Sequence, residues 1–191
     1  MGYKFKHGFK AEAERYAEEF RGELGLAPDA PMCPRKLASH LEVPVFGIKD
    51  NPVLPAEMTA YWARHPNDPF SGLIISDNSY KEIHHNDFHH PRRQNSDLAH
   101  ELAHIILGHD LNTPIRENGE RAYDRNTEEE AKWLGATLLL PKKATVMMVL
   151  NSYDRGRVET EFEVSWAMYQ YRLQVTDTVR AARNIRKKYA A

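Results

Sequence analysis

The sequence predicts an α+β fold in which helices surround a small, mainly antiparallel sheet of three strands. Apolar residues recur at three- and four-residue steps over residues 9–24, with glutamates mostly between them, which is helical periodicity. Three short β-forming runs follow, separated by Pro, Asn, Asp and Gly. The second half of the chain returns to helical spacing, and helices that follow a small sheet are typical of the α+β class.

The first half of the chain contains two predicted helices and three predicted strands. Gly25 and Pro28 end the first helix, and a short second helix is predicted over residues 35–41. The strands are predicted over residues 43–48, 58–64 and 73–76. The polar stretch 77–95 is predicted to be an exposed loop. Its histidines could instead hold a second metal or form a flap over a neighbouring cleft, and they are His84, His85, His89 and His90.

The next two helices carry the strongest apolar pattern. Asn95 or Ser96 can cap a helix over residues 97–109, whose apolar side chains lie on one broad face. A polar connection over residues 110–126 leads to a second apolar helix, which Pro141 must end because proline disfavours α geometry in the residue before it.

Short helices are predicted beyond Pro141. They cover residues 142–151, 158–162, 166–173 and 177–189. We therefore expect one domain over residues 1–141 and a helical extension over residues 142–191 that packs on it.

Composition and charge exclude several classes of protein. The chain has 191 residues, of which 41% are hydrophobic and 28% charged, and a formal net charge of −1, as expected for a globular domain and not for a disordered chain. No apolar run approaches the roughly 20 residues that cross a bilayer, so we expect a cytoplasmic protein. Cys33 is the single cysteine, which excludes an internal disulfide and a Cys-rich zinc module. Balanced charge argues against non-specific binding of nucleic acid as the main activity.

One pentapeptide is a candidate metal-binding and catalytic motif. His100-Glu101-Leu102-Ala103-His104 is an HExxH sequence on a helical pattern. Four helical steps bring the second histidine to within roughly 40° of the first, about 6 Å along the axis, so both imidazoles can reach one ion. Glu101 lies beside the pair, where it can take a proton from an attacking water. The alternative is an amphipathic helix that contains two histidines by chance.

A catalytic zinc usually has three protein ligands, so a third is needed. His109 lies about 140° around the helix from His104, which makes a carboxylate from the next helix the better candidate. The candidates are Glu128, Glu129 and Glu130. Glu130 precedes Trp133 and Leu134 by three and four residues and so faces inward. It could instead belong to a capping box with Thr127, unless Asn126 is the cap.

Several segments together resemble the ImmA/IrrE family of metallopeptidases. They are FKAEAERYAEEFRGELGL, LASHLEVPVFGI, SDLAHELAHIILGH, EEEAKWLGATLLLP and FEVSWAMYQYRL, the last being similar to the family's helix-turn-helix-like segment. The resemblance implies a zincin-like fold and a zinc ion bound by His100, His104 and Glu130, with Glu101 as general base. Because imidazole and carboxylate accept several metals, another divalent ion such as Mn²⁺ is an alternative.

The resemblance also implies a function. It implies limited endoproteolysis of a protein partner, commonly a helix-turn-helix repressor or antitoxin, with an extended substrate along the edge strand near residues 72–76. Two alternatives stay open. One is a toxin component. The other is an interaction or DNA-binding module with a structural zinc site, suggested by the five cations after Thr178, which are Arg180, Arg183, Arg186, Lys187 and Lys188.

Overall fold

The computed structural model describes residues 5–49, 51–52, 54–77, 80–110 and 124–189. Within these ranges nine helices surround a three-stranded sheet, which confirms the predicted α+β class. The strands are β1 (Val45–Gly47), β2 (Gly72–Asp77) and β3 (Tyr80–His85). The helices are α1 (Phe9–Glu23), α2 (Pro34–His40), α3 (Ala56–Arg64), α4 (Pro91–Ile106), α5 (Arg125–Leu139), α6 (Lys142–Leu150), α7 (Arg155–Glu161), α8 (Trp166–Val175) and α9 (Thr178–Tyr189).

The sheet is mixed and has the order β1-β3-β2. Strand β2 pairs with β3 in antiparallel register from Gly72 opposite His85 to Asp77 opposite Tyr80, and β1 pairs with β3 in parallel over three residues. Antiparallel pairing therefore predominates, as predicted. Within the described part of the chain, β2 is an edge strand of this sheet.

Two predictions about the sheet were wrong. Residues 58–64 lie in α3, because Met58, Tyr61 and Trp62 are spaced at three and four residues and only resemble a β-forming run by composition. The third strand is β3, in the stretch predicted to be an exposed loop. Its polar sequence concealed a buried residue at its centre, Ile83, which is fully enclosed.

The helix with the HExxH sequence starts six residues earlier than predicted. Pro91 occupies its first turn, where proline costs no hydrogen bond, and the side chain of His90 accepts from the backbone N–H of Arg92. Asn95 and Ser96 therefore lie inside α4 and are not its cap. Most of the predicted polar connection, residues 111–123, lies outside the described residues.

Helix α5 lies at the centre of the molecule. Its Trp133, Leu134 and Leu138 belong to a core shared with α1, α2, α4 and the sheet, whereas Leu139 joins a second core formed with the C-terminal helices. The predicted domain boundary at residue 141 stays a prediction. Among the described residues, no single helix has the length and hydropathy of a membrane span, and only the bent pair of α5 and α6 meets those criteria jointly.

Two buried arginines fix the C-terminal end of α5. Arg21 of α1 donates to the carbonyl of Leu138 at 2.8 Å, and Arg172 of α8 donates to that of Leu140 at 2.8 Å. Arg172 also pairs with Glu14 at 2.7 Å. Since the last carbonyls of a helix have no partner within it, these guanidinium groups satisfy them and anchor α5 to two neighbouring helices.

Candidate metal centre

The two histidines of the HExxH sequence converge as predicted. His100 and His104 lie one turn apart on α4, and their Nε2 atoms are 3.2 Å from each other. The side chain of His104 is 4% exposed and that of His100 is 25% exposed, so the pair lies at the floor of an opening and not on the surface.

Glu128 joins this pair from the first turn of α5. Its carboxylate oxygens lie 3.4 Å from Nε2 of His100 and 3.2 Å from Nε2 of His104. The first turn is positioned by Asp124, whose side chain accepts from the N–H of Asn126, and which is the N-cap in place of both residues considered from the sequence. The capping-box alternative for Glu130 therefore does not apply, since Thr127 lies inside the helix.

Glu130 points to another side of α5. Two helical steps separate it from Glu128 by about 200°. Its Oε2 lies 3.5 Å from Nε2 of His109, and Nδ1 of His109 lies 3.0 Å from Nδ1 of His104. Within the described ranges, the group of potential ligand atoms that all lie within 4.8 Å of one another comprises His100, His104 and Glu128. The geometry favours Glu128 as third ligand, and ligation by Glu130 stays a prediction.

A cleft of about 1030 Å³ opens over the site. His100, Glu101 and Glu128 line it, and Glu101 is only 8% exposed. The start of β2 forms one wall, with Ser71 and Gly72. Sequence reasoning missed the opposite wall, which Met168 and Tyr171 of α8 form, because nothing in their spacing relates them to the HExxH helix.

The electrostatics of the site favour the ionised form of Glu128. Burial alone would raise the pKa of Glu128, but hydrogen bonds and the charges of His100 and His104 outweigh it and hold that pKa well below its usual value. Burial, together with the neighbouring His104, lowers the pKa of His109, and Glu130 opposes this effect.

The residues present fit a divalent ion. Two imidazole nitrogens and one carboxylate converge from two helices, and the cleft leaves the fourth side open. Three such ligands with one open position form the usual donor set of a catalytic zinc site. A structural site, in contrast, is closed by four protein ligands.

The four histidines at residues 84–90 do not form a second site among the described residues. His84 donates to Glu82, Nε2 of His85 accepts from Arg35 at 2.7 Å, and His89 contacts Asp97 at 3.1 Å. His85 and His89 are buried, so the prediction of an exposed loop was wrong. Each of these imidazoles has a polar partner in the protein, although Nδ1 of His85 has none within the described residues.

Comparison with known proteins agrees with this geometry. The model of the IrrE N-terminal-like domain, the M78 peptidase family, matches residues 62–174, which is more than half of the chain and includes both α4 and α5. The chain belongs to this family. The resemblance to the ImmA/IrrE metallopeptidases, carried by the HExxH and EEEA segments, is thereby confirmed.

Two further comparisons concern the whole M78 chain. A solved structure of a Mycobacterium tuberculosis transcriptional regulator is similar to it, with 14% identity and a TM-score of 0.48 over 88% of this chain. The chain spans about half of that protein, 47% of its length. A search of curated proteins found no significant match.

Proposed function

We propose that this M78 domain is a zinc-dependent endopeptidase that makes limited cuts in a protein partner. The observation that carries the proposal is the convergence of His100, His104 and Glu128 at one open cleft, which His100, Glu128 and the buried Glu101 line. A structural metal site needs neither the cleft nor a general base at its edge.

The chain's own residues supply the proton transfers. When bound, the metal supplies Lewis-acid activation of water and of the scissile carbonyl. Glu101, next to His100 in sequence and at the wall of the cleft, accepts the proton of the attacking water. It then holds this proton within a mostly dehydrated pocket and delivers it to the leaving amine nitrogen. His100, His104 and Glu128 hold the ion, with zinc first among the divalent ions that such ligands accept.

The edge strand supports binding of an extended substrate. β2 is an edge strand of the sheet within the described residues, and its first residue, Gly72, lines the cleft. A peptide that adds to this edge would run past the histidine pair with its backbone held by strand-like hydrogen bonds. We propose a helix-turn-helix repressor or antitoxin as the partner, because its loss would convert one cut into a transcriptional response.

A capture experiment tests this function. Glu101→Gln should retain the metal and bind substrate without cleaving it, so the variant expressed in its own host should retain a small protein that wild type cleaves. His104→Ala, which lacks a ligand, is the negative control. Glu57→Gln, at an exposed position in α3, is the matched carboxyl-to-amide control and should cleave like wild type. Equal cleavage by wild type and Glu101→Gln would refute the proposed mechanism.

The DNA-binding alternative has less support from the structure. The segment that resembles a helix-turn-helix, residues 162–173, lies mostly in α8, and Met168 and Tyr171 of this helix line the metal cleft. In α9, Arg180 contacts Asp177, and Arg186 donates to the carbonyl of Val149. Retention on duplex DNA that falls steeply with salt would support this alternative, and no retention at about 50 mM salt would contradict it.

A further inference from the structure

We infer that Glu130 and His109 form a row of polar contacts that positions His104 for metal binding. This inference deepens the proposed function, because it rests on His104 being a metal ligand. It assigns to Glu130 a role outside the ligand set and to His109 a role beyond ending a helix.

The three side chains form a continuous row of polar atoms. Nε2 of His104 faces Glu128 at 3.2 Å, and its other ring nitrogen, Nδ1, lies 3.0 Å from Nδ1 of His109. Nε2 of His109 in turn lies 3.5 Å from Oε2 of Glu130. Their side chains are 4%, 8% and 12% exposed, so water competes little for these contacts.

Metal binding at Nε2 of His104 requires one particular arrangement of the protons in this row. Two facing Nδ1 atoms need one proton between them. A metal on Nε2 of His104 requires a lone pair there, so that ring carries its proton on Nδ1 and donates it to His109. His109 must then carry its own proton on Nε2, the atom that faces Glu130.

Glu130 selects between the two possible proton arrangements. In the opposite arrangement, Nδ1 of His109 donates to His104, whose proton moves to Nε2 and blocks the metal. The carboxylate of Glu130 attracts the N–H on Nε2 of His109 and therefore favours the arrangement that leaves His104 free to bind. At 3.5 Å this last contact is longer than a standard hydrogen bond, and its attraction is that of a charge for an N–H dipole.

The end of α4 explains why His109 reaches His104. Gly108 has a φ of 64°, the left-handed conformation that glycine adopts without strain. The N–H of Gly108 donates to the carbonyl of Ile105, and that of His109 to the carbonyl of His104 at 3.1 Å. This is the Schellman pattern of a helix end, and it folds the chain back so that His109 covers the last turn.

Helix α5 supplies a carboxylate on each side of His104. Glu128 faces the metal side of its ring, and Glu130 faces His109 on the other side. Carboxylate partners of ligating histidines fix the tautomer and orientation of the ring, and their loss typically weakens metal binding roughly 10- to 100-fold. Here a second imidazole stands between the carboxylate and the ligand.

Metal affinity and the spectrum of bound Co²⁺ test the inference on the full chain. Glu130→Gln should weaken zinc binding roughly 10- to 100-fold in competition with a chelator, with an unchanged Co²⁺ absorption spectrum because the ligand set is intact. Glu128→Gln should change that spectrum. Glu19→Gln, at an exposed position of α1 where the carboxylate pairs with Arg15, should bind zinc like wild type.

A double-mutant cycle shows whether His109 and Glu130 act on His104 together or separately. His109→Gln and Glu130→Gln should each weaken zinc binding, and the double variant should lose little more than the stronger single variant, because both act through His104. Additive losses of affinity would show that the two residues act separately and would overturn the inference. Wild-type affinity in Glu130→Gln would also overturn it, as would a changed Co²⁺ spectrum in that variant, which would make Glu130 a ligand.

These readouts separate the inference from the proposed function. Neither affinity nor the Co²⁺ spectrum requires a substrate, so a failure to find a cleaved partner leaves them intact. If wild type binds zinc and Glu130→Gln binds it equally well, the inference fails while the metallopeptidase proposal stands. Circular dichroism of the metal-free variants checks that each substitution preserves the fold.

Discussion

The close contact between α4 and α5 at Gly135 should make even one added methyl group destabilising. A Cβ at this position would lie 3.0 Å from the carbonyl oxygen of Ala99 and 3.1 Å from Cα of His100. These are backbone atoms of a helix and cannot rotate away. Overpacking of this kind costs about 1–3 kcal/mol, and the higher helix propensity of alanine offsets about 1 kcal/mol of it. Gly135→Ala should therefore lower the free energy of unfolding by about 1 kcal/mol.

Gly22 provides the matched control. It also lies inside a helix, α1, but an added Cβ there meets nothing within 4 Å. Gly22→Ala gains the same helix propensity and the same reduction of unfolded-chain entropy without the clash, so it should be neutral or stabilising by up to about 1 kcal/mol. Urea unfolding of the metal-free proteins measures both variants. A Gly135→Ala variant as stable as Gly22→Ala would refute the packing argument.

Two further predictions concern pH and metal. Burial and the charge of Arg35 lower the pKa of His85 to about 4, whereas the same imidazole has a pKa of about 6.5 in the unfolded chain. Between these pH values the unfolded state therefore binds more protons than the folded state. The free energy of unfolding should fall by up to about 3 kcal/mol from pH 6.5 to 4, and His85→Gln should reduce that slope in urea unfolding. Zinc at about 1,000 times its dissociation constant should stabilise wild type by about 4 kcal/mol, and a gain retained in His104→Ala would contradict the assigned site.

Elements with a single buried face could be predicted closely from the sequence. The first helix was expected over residues 9–24 and spans Phe9–Glu23, and the helix after Pro141 ends one residue before its predicted limit. The first helix has apolar residues at three- and four-residue steps, and the later one follows a proline, which is typical of the first position of a helix. Such local signals need no knowledge of the rest of the fold.

Strand β3 could not be predicted because its stability is not local. Its side chains are mostly polar, but His84 bonds Asn51 and Glu82, and His85 accepts from Arg35 of α2. Asn51 and Arg35 come from distant parts of the sequence, and such pairing removes the penalty for burying polar groups. Hydrophobic alternation, the usual signal of a half-buried strand, reports apolar burial only.

The metal site shows the same division between local and tertiary information. The spacing of His100 and His104 fixes their shared face whatever the helix packs against. The third ligand depends on which side of α5 faces α4, and the sequence shows only that Glu130 faces inward. Glu130 is indeed buried, but α5 is enclosed on more than one side. For such a helix, an inward direction does not identify the neighbour that a side chain meets.

The arrangement around α5 predicts that two kinds of substitution will have different spectral signatures. Glu130→Gln alters the polar contacts that reach His104 through His109 but leaves the spacing of the two helices unchanged. Gly135→Ala acts on that spacing, because the added methyl group presses on the backbone at His100 and so moves the His100 ligand relative to Glu128. Both variants should bind zinc more weakly, but only Gly135→Ala should also change the Co²⁺ spectrum. If the two variants gave the same spectrum, the spacing of the helices and the contacts of His109 and Glu130 behind His104 could not be independent determinants of the site.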